Sequence, residues 1–217
     1  MRRAFLFPLI IISIALQANN DSLRHYLELV GTAETKEERL NADTIFYSLM
    51  VDALKKENGF TEPFVDLEKI GKLTSSDERV RLINWNIPLD KGQHRYRCLV
   101  LAKDRKGGHN VFELNMPSNP SKKINERKVI LADQWYGALY YEIIPLKKGG
   151  KTYYTVMGWS GHDRLSTRKI IDVISISGKR IKLGAPLFQL EDKAQYRVVF
   201  EYSEEVRMGL GFEEKEQ

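Results

Sequence analysis

Residues 135–161 read WYGALYYEIIPLKKGGKTYYTVMGWSG, and the runs RKIIDVISIS (168–177) and GAPLF (184–188) come after them. Two stretches rich in aromatic and β-branched residues flank Lys147-Lys148-Gly149-Gly150-Lys151, and a third comes after a polar loop. That arrangement predicts an antiparallel β-meander. A similar pattern occurs earlier. Residues 79–85 alternate, with Val80, Leu82 and Asn84 on one face and Arg79, Arg81, Ile83 and Trp85 on the other. Strands over 95–103 and 110–115, joined through Gly107-Gly108, complete this first meander.

Each meander places a tryptophan at a strand end before a polar turn, Trp85-Asn86 and Trp159-Ser160-Gly161, a two-copy internal repeat. Such units suit a sandwich, a bent barrel or propeller-like blades. Residues 117–127, with Pro117 and Pro120, read as the loop between them. An entry strand is expected within 64–73. At the far end, Tyr196, Val198, Phe200 and Tyr202 alternate, and 206–212 should pair back as a hairpin about Ser203-Glu204-Glu205.

Upstream the period changes to that of helices. Asn20-Asp21-Ser22 can cap a helix carrying Leu23, Tyr26, Leu27 and Val30 and stopping at Gly31. Thr35 and Glu38 form a capping box for a second helix. Its stripe is Leu40, Ala42, Ile45, Phe46, Leu49, Met50, Ala53 and Leu54, and Asn58-Gly59 should end it in a left-handed cap. Before these, Met1-Arg2-Arg3 is a basic start and residues 4–16 are almost wholly apolar, with Ala18 offering a small residue for cleavage. This fits a secretory signal peptide and is short for a membrane span of about 20 residues. The organisation expected is therefore a signal peptide over 1–18, a helical arm over 19–59, and an antiparallel β-domain over 60–217 on which the arm packs. The fold class is mainly antiparallel β with an N-terminal helical arm, α+β overall.

The 217 residues are 42% hydrophobic and 29% charged, as in a folded chain rather than a disordered one. The net charge of +5 becomes +3 without Arg2 and Arg3, 32 basic residues against 29 acidic. Basic residues are scattered among acidic ones, as in Lys36-Glu37-Glu38-Arg39, which argues against a nucleic-acid partner. Cys98 is the single cysteine, set in the apolar run 98–102, so no internal disulfide can form and a buried small hydrophobe is expected.

Among candidate chemistries, the loop Trp159-Ser160-Gly161-His162-Asp163-Arg164 offers a hydroxyl, an imidazole, a carboxylate and a guanidinium in close succession. It is not a nucleophile elbow, because the spacing of its glycines differs and a strand comes next. Nor do adjacent Ser, His and Asp make a relay, whose members converge from separate segments. As a ligand-contact loop, Trp159, Ser160, His162, Asp163 and Arg164 are the leading candidates. The aromatics Trp135, Tyr136, Tyr140, Tyr141, Tyr153, Tyr154 and Trp159 could line a saccharide platform, although strand alternation divides them between two faces. His25, His94, His109 and His162 are isolated and show no zinc spacing, so no metal or cofactor is expected. Glu142, Asp163 and Glu201 are the carboxylates nearest the aromatic runs, and no catalytic residue is assigned.

Several words in order carry a resemblance: residues 33–39 (AETKEER), 73–77 (LTSSD), 84–86 (NWN), 135–141 (WYGALYY), 150–154 (GKTYY), Gly158-Trp159, Gly184-Ala185-Pro186 and 199–203 (VFEYS). The chain resembles a family of uncharacterised exported proteins of Bacteroidetes, across about Ala33 to Phe212. The resemblance implies a Gram-negative envelope setting, periplasmic, associated with the outer membrane or extracellular, and brings no activity with it. The family's pattern continues beyond the point matching Leu210-Gly211-Phe212, so a short or truncated form with an exposed edge is expected. The function expected is a non-catalytic interaction or ligand-binding module with an envelope protein or saccharide as partner. The alternative is an envelope hydrolase acting on saccharide or peptide through separate loops. Once the signal is cleaved, no spanning segment is expected.

Overall fold

The computed structural model describes residues 7–118, 123–161, 165–203 and 205–213. They fall into two units, Met1–Lys69 and Ile70–Gln217.

The first unit holds two helices packed together, α1 (Phe7–Thr32) and α2 (Lys36–Leu54). The capping box of α2 forms as expected: the Glu38 N–H donates to Thr35 Oγ1 at 3.2 Å, and the Thr35 N–H donates to Glu38 Oε2 at 3.0 Å. Three local expectations change. Asn20-Asp21-Ser22 lie inside α1 rather than capping it, because Gln17-Ala18-Asn19 contain no glycine or proline to halt a helix propagating from upstream. In α2 the stripe is displaced, with Asp43 buried and Ile45 exposed. Gly59 is not a left-handed cap. The helix ends at Lys55 with right-handed φ −77°, and a 3-10 turn over Glu57–Phe60 comes next. Glycine is required at 59 by proximity, since a Cβ there would stand 2.3 Å from the Leu54 carbonyl oxygen. Among the described residues, no helix is long and apolar enough to cross a membrane.

The second unit is antiparallel β throughout its two main sheets. The first sheet runs β1 (Gly71–Thr74), β2 (Val80–Pro88), β3 (His94–Lys103) and β4 (His109–Leu114) in chain order. The second contains β5 (Ile130–Leu131), β6 (Leu139–Lys148), β7 (Lys151–Gly161), β8 (Ser166–Ser177) and β9 (Arg180–Leu183), ordered β5-β9-β8-β7-β6. A small separate hairpin joins β10 (Phe188–Leu190) to β11 (Lys193–Gln195), and β12 (Val198–Ser203) returns to pair with β8. The two meanders face one another as a sandwich rather than standing side by side as blades. Val80, Leu82, Cys98, Val100 and Phe112 from the first sheet share one core with Tyr154, Val156, Ile170, Ile174 and Leu183 from the second. Cys98 is buried there as expected, and burial pushes its thiol pKa up. The opposite face of β2 is buried as well, through Arg81, Ile83, Trp85 and Ile87.

Two expected strands differ. Within 64–73 only Gly71 onward is strand, because Phe64 takes a left-handed φ of 47° and the chain turns there. Residues 206–212 form no strand. Gly209 and Gly211 weaken any ladder, and the segment lies beside β6, where Tyr141 Oη donates to the Leu210 carbonyl at 3.0 Å and the Phe212 N–H donates to Glu142 Oε2 at 3.2 Å. The partner of β12 is β8 instead. The Gly149-Gly150 turn has positive φ at both glycines, 59° and 71°, the backbone that a two-residue hairpin of matching twist demands.

A buried side chain of the first sheet holds the backbone of the second. Asn84 is fully buried on the core face of β2, and its carboxamide pairs with the backbone of Tyr140 on β6. Its Nδ2 donates to the Tyr140 carbonyl at 3.2 Å, and its Oδ1 accepts from the Tyr140 N–H at 3.0 Å. The β6–β7 register shifts between Tyr140 and Glu142, and the carboxamide stands in for a neighbouring strand at that irregularity. Gly71 lies opposite Asn84 in the ladder, where a Cβ would approach Asn84 Nδ2 to 2.6 Å.

Replacing Asn84 with leucine keeps the number and branching of side-chain heavy atoms and strands two buried backbone groups, each costing about 1–3 kcal/mol. Asn84→Leu should therefore lower the unfolding free energy in urea by about 2–6 kcal/mol. A loss below about 1 kcal/mol would show that these groups find other partners.

Candidate functional site

Sequence alternation brings the ends of β2, β3 and β7 together. Trp159 lies near the end of β7, opposite Leu139 on β6 and Lys169 on β8. Its half-buried ring meets two aromatic rings from β3. His94 contacts it edge-on at 5.7 Å between centroids, and Tyr96 does so at 6.5 Å. Asn86 Nδ2 lies 3.0 Å from His94 Nδ1. A carboxamide nitrogen can only donate, so Nδ1 is the acceptor and the imidazole proton sits on Nε2. The Gly161 N–H donates to Tyr96 Oη at 2.8 Å. Glycine is needed at 161, because a Cβ would lie 2.9 Å from His94 Cδ2. Burial pushes the Tyr96 phenol up to about 12, so it stays a neutral donor and acceptor at any physiological pH.

Of the loop residues singled out from sequence, Trp159 is half-buried and held by this cluster. Ser160 is buried at 7% exposure, beside the Tyr96 hydroxyl. His162, Asp163 and Arg164 lie outside the described residues. The proposed saccharide platform does not form as one surface. Trp135, Tyr140 and Tyr154 are core, Tyr136 and Tyr153 are half-buried, and Tyr141 is exposed. Lys169 Nζ sits 4.4 Å from the Tyr141 ring centroid.

The carboxylates are engaged in structural work. Glu201 accepts from Arg168 Nε at 2.9 Å and from Ser166 Oγ at 3.2 Å. Glu142 holds the Phe212 N–H. His94 and His109 lie at opposite ends of the ten-residue strand β3 and its partner, about 30 Å apart. Among the described residues there is no group of three or more His, Cys, Asp or Glu able to hold a metal.

A second polar group was not anticipated from the sequence. Asp172 and Arg197 are both completely buried and paired, Nε to Oδ2 at 2.9 Å. They sit where β8 changes partners, since β9 pairs with 174–177 and β12 with 166–171. Asp172 Oδ2 also accepts from Tyr136 Oη at 2.8 Å, and Oδ1 accepts from the Val173 N–H at 2.7 Å. Arg197 donates onward to the carbonyls of Asn125, Lys128 and Leu183. Tyr140 Oη accepts from Trp135 Nε1 at 2.9 Å and lies 3.2 Å from Tyr136 Oη, so the network reaches back to the residue that Asn84 holds. Burial pushes the Asp172 carboxyl upward, and the Arg197 guanidinium opposes it. Gly184, with φ +93°, leaves room for Arg197, since a Cβ would come within 2.6 Å of Nη2. The clue available in the sequence was an aspartate at an inward position of the apolar strand KIIDVISIS. Nothing local pointed to Arg197 as its partner.

This network is an interior joint closed to ligand. Removing one member of a buried pair leaves an uncompensated charge, at a cost of about 3–5 kcal/mol. Arg197→Met should thus lower the urea unfolding free energy by about 3–5 kcal/mol, and a value under about 1 kcal/mol would place the pair in solvent.

No family model, no curated protein and no solved structure matches this chain.

Proposed function

We propose that this chain is an exported cell-envelope protein of the Bacteroidetes kind it resembles, acting as a non-catalytic binding module. Its placement in the periplasm, at the outer membrane or outside the cell rests on the basic and apolar N-terminus together with the resemblance. The observation that carries the binding reading is the half-buried Trp159 ring, pinned edge-on by His94 and Tyr96 at the end of the sandwich. An aromatic ring on a rigid support offers contact area at little cost in side-chain order, which suits a saccharide face or a partner protein. Next in sequence come His162, Asp163 and Arg164, residue types suited to polar contacts under this reading. A hydrolase would need an acid and a base converging on one accessible space. Glu142 and Glu201 instead accept bonds from Phe212 and Arg168, and Asp172 is enclosed.

A thermal melt of the full chain against a panel of neutral envelope saccharides tests this. A ligand at 100 times its dissociation constant adds about 2.7 kcal/mol, a visible rise in midpoint. The expected result is a rise for one saccharide class that Trp159→Ala abolishes while leaving the unliganded melt cooperative. Absence of any shift would direct the search to a protein partner. Hydrolysis of an envelope polysaccharide by the purified chain would overturn the non-catalytic reading.

A further inference from the structure

The opposite end of the same strands has a different character. Four hairpin turns, those joining β1 to β2, β3 to β4, β6 to β7 and β8 to β9, surround a groove of about 970 Å³. Arg79, Lys103, Arg105, Lys106, Lys147 and Lys179 line it, together with two carboxylates, Asp77 and Asp104. These cations are dispersed along the sequence, and the meander topology collects them at one place. The carboxylates are used to build the turns. Asp77 Oδ1 accepts from Ser75 Oγ at 2.6 Å and from the Arg79 N–H at 3.2 Å, and its Oδ2 accepts from Tyr154 Oη at 3.1 Å. Asp104 Oδ1 accepts the N–H groups of Lys106 at 2.7 Å and Gly108 at 3.1 Å. Six exposed basic residues against two carboxylates leave the groove a net positive charge. Gathering like charges in a concave place works against folding and raises the local concentration of anions.

From this geometry we propose that the groove is a binding site for an acidic polysaccharide, a chain bearing repeated carboxylates or sulfates. Its volume is at the upper end for small-molecule sites and accommodates an oligosaccharide length rather than one small anion. Four of the six cations are lysines, compact point charges that tolerate irregular spacing of the anionic groups along a chain. Asn110, Thr152 and Ser177 stand among them and supply neutral donors and acceptors of the kind sugar hydroxyls use. Two other polyanions fit less well. A single nucleic-acid strand binds through aromatic faces for its bases, and Tyr154, the aromatic residue of this groove, is buried with its hydroxyl held by Asp77. An acidic peptide in extended form gains main-chain hydrogen bonds by adding to a strand edge, and this groove is walled by turns that offer it none of that ladder. The site is separate from the Trp159 end, since Thr152 and Trp159 are seven positions apart on β7, roughly 25 Å.

The test is isothermal titration of the full chain with oligosaccharides of polygalacturonate and of heparin at about 150 mM salt. These two probes separate carboxylate from sulfate chemistry. Binding to at least one is expected, weakening as salt rises. The double variant Lys147→Gln/Lys179→Gln should weaken it about tenfold or more. The charge-matched Lys91→Gln/Lys193→Gln, both on exposed turns or edges away from the groove, should stay within about twofold. Trp159→Ala should leave the affinity unchanged, so the two sites can fail independently. Equal loss in both lysine pairs, binding to neither probe, or equally tight binding of single-stranded oligonucleotide or polyglutamate would overturn the proposal.

Discussion

The carboxamide of Asn84 against the backbone of Tyr140 is the constraint around which the β-unit is arranged. A buried peptide group must be paired, and at the irregularity in β6 a side chain from the opposing sheet supplies both bonds. Several neighbouring residues are set by that choice. Gly71 leaves space for the Asn84 side chain, and Gly158 leaves space for the Tyr140 ring, whose Cδ1 would lie 2.9 Å from a Cβ at that position. With the backbone of Tyr140 fixed, its hydroxyl meets Trp135 and lies beside Tyr136, which donates to Asp172. Asp172 in turn anchors Arg197 just before β12. A line of polar contacts therefore crosses the core from β2 to β12 and fixes which strands pair where β8 changes neighbours.

With its polar interior enclosed, the unit presents its chemistry at the two strand ends. One end is aromatic, built from Trp159, His94 and Tyr96, and stiffened by the bond from Gly161 to the Tyr96 hydroxyl. The other is cationic, built from turns whose aspartates bond inward. Rigid strands of about ten residues keep these surfaces apart and let the turns vary without disturbing the core. In the proposed binding role, loops on this fixed frame would carry recognition.

What could be read from the sequence was local. The Thr35–Glu38 capping box spans four residues, and the Gly149-Gly150 turn two, so their physics is complete within a short window. The alternation of 79–85 correctly put Val80, Leu82 and Asn84 on one face. Burial of Asn84 could be read there, but its partner Tyr140 lies 56 residues away. Arg197 is similar, with backbone partners as far as 72 residues upstream. The helix start at Asn20-Asp21-Ser22 was misplaced because a capping residue type is no signal when helix already precedes it. The hairpin through 206–212 was misplaced because β8 offered β12 a longer ladder than a glycine-interrupted segment could. Of the Trp159 loop, Trp159 and Ser160 can be placed, while the gathering of the basic groove depends on four turns meeting in space.

Native-state hydrogen exchange of the Tyr140 amide tests the Asn84 joint most directly. If that joint closes the core, this amide opens only with global unfolding, and its exchange free energy equals the stability measured in urea. Exchange at the rate of the Lys148 and Lys151 amides, beside the exposed turn, would mean that Tyr140 is not held and that the Asn84 joint does not close the core.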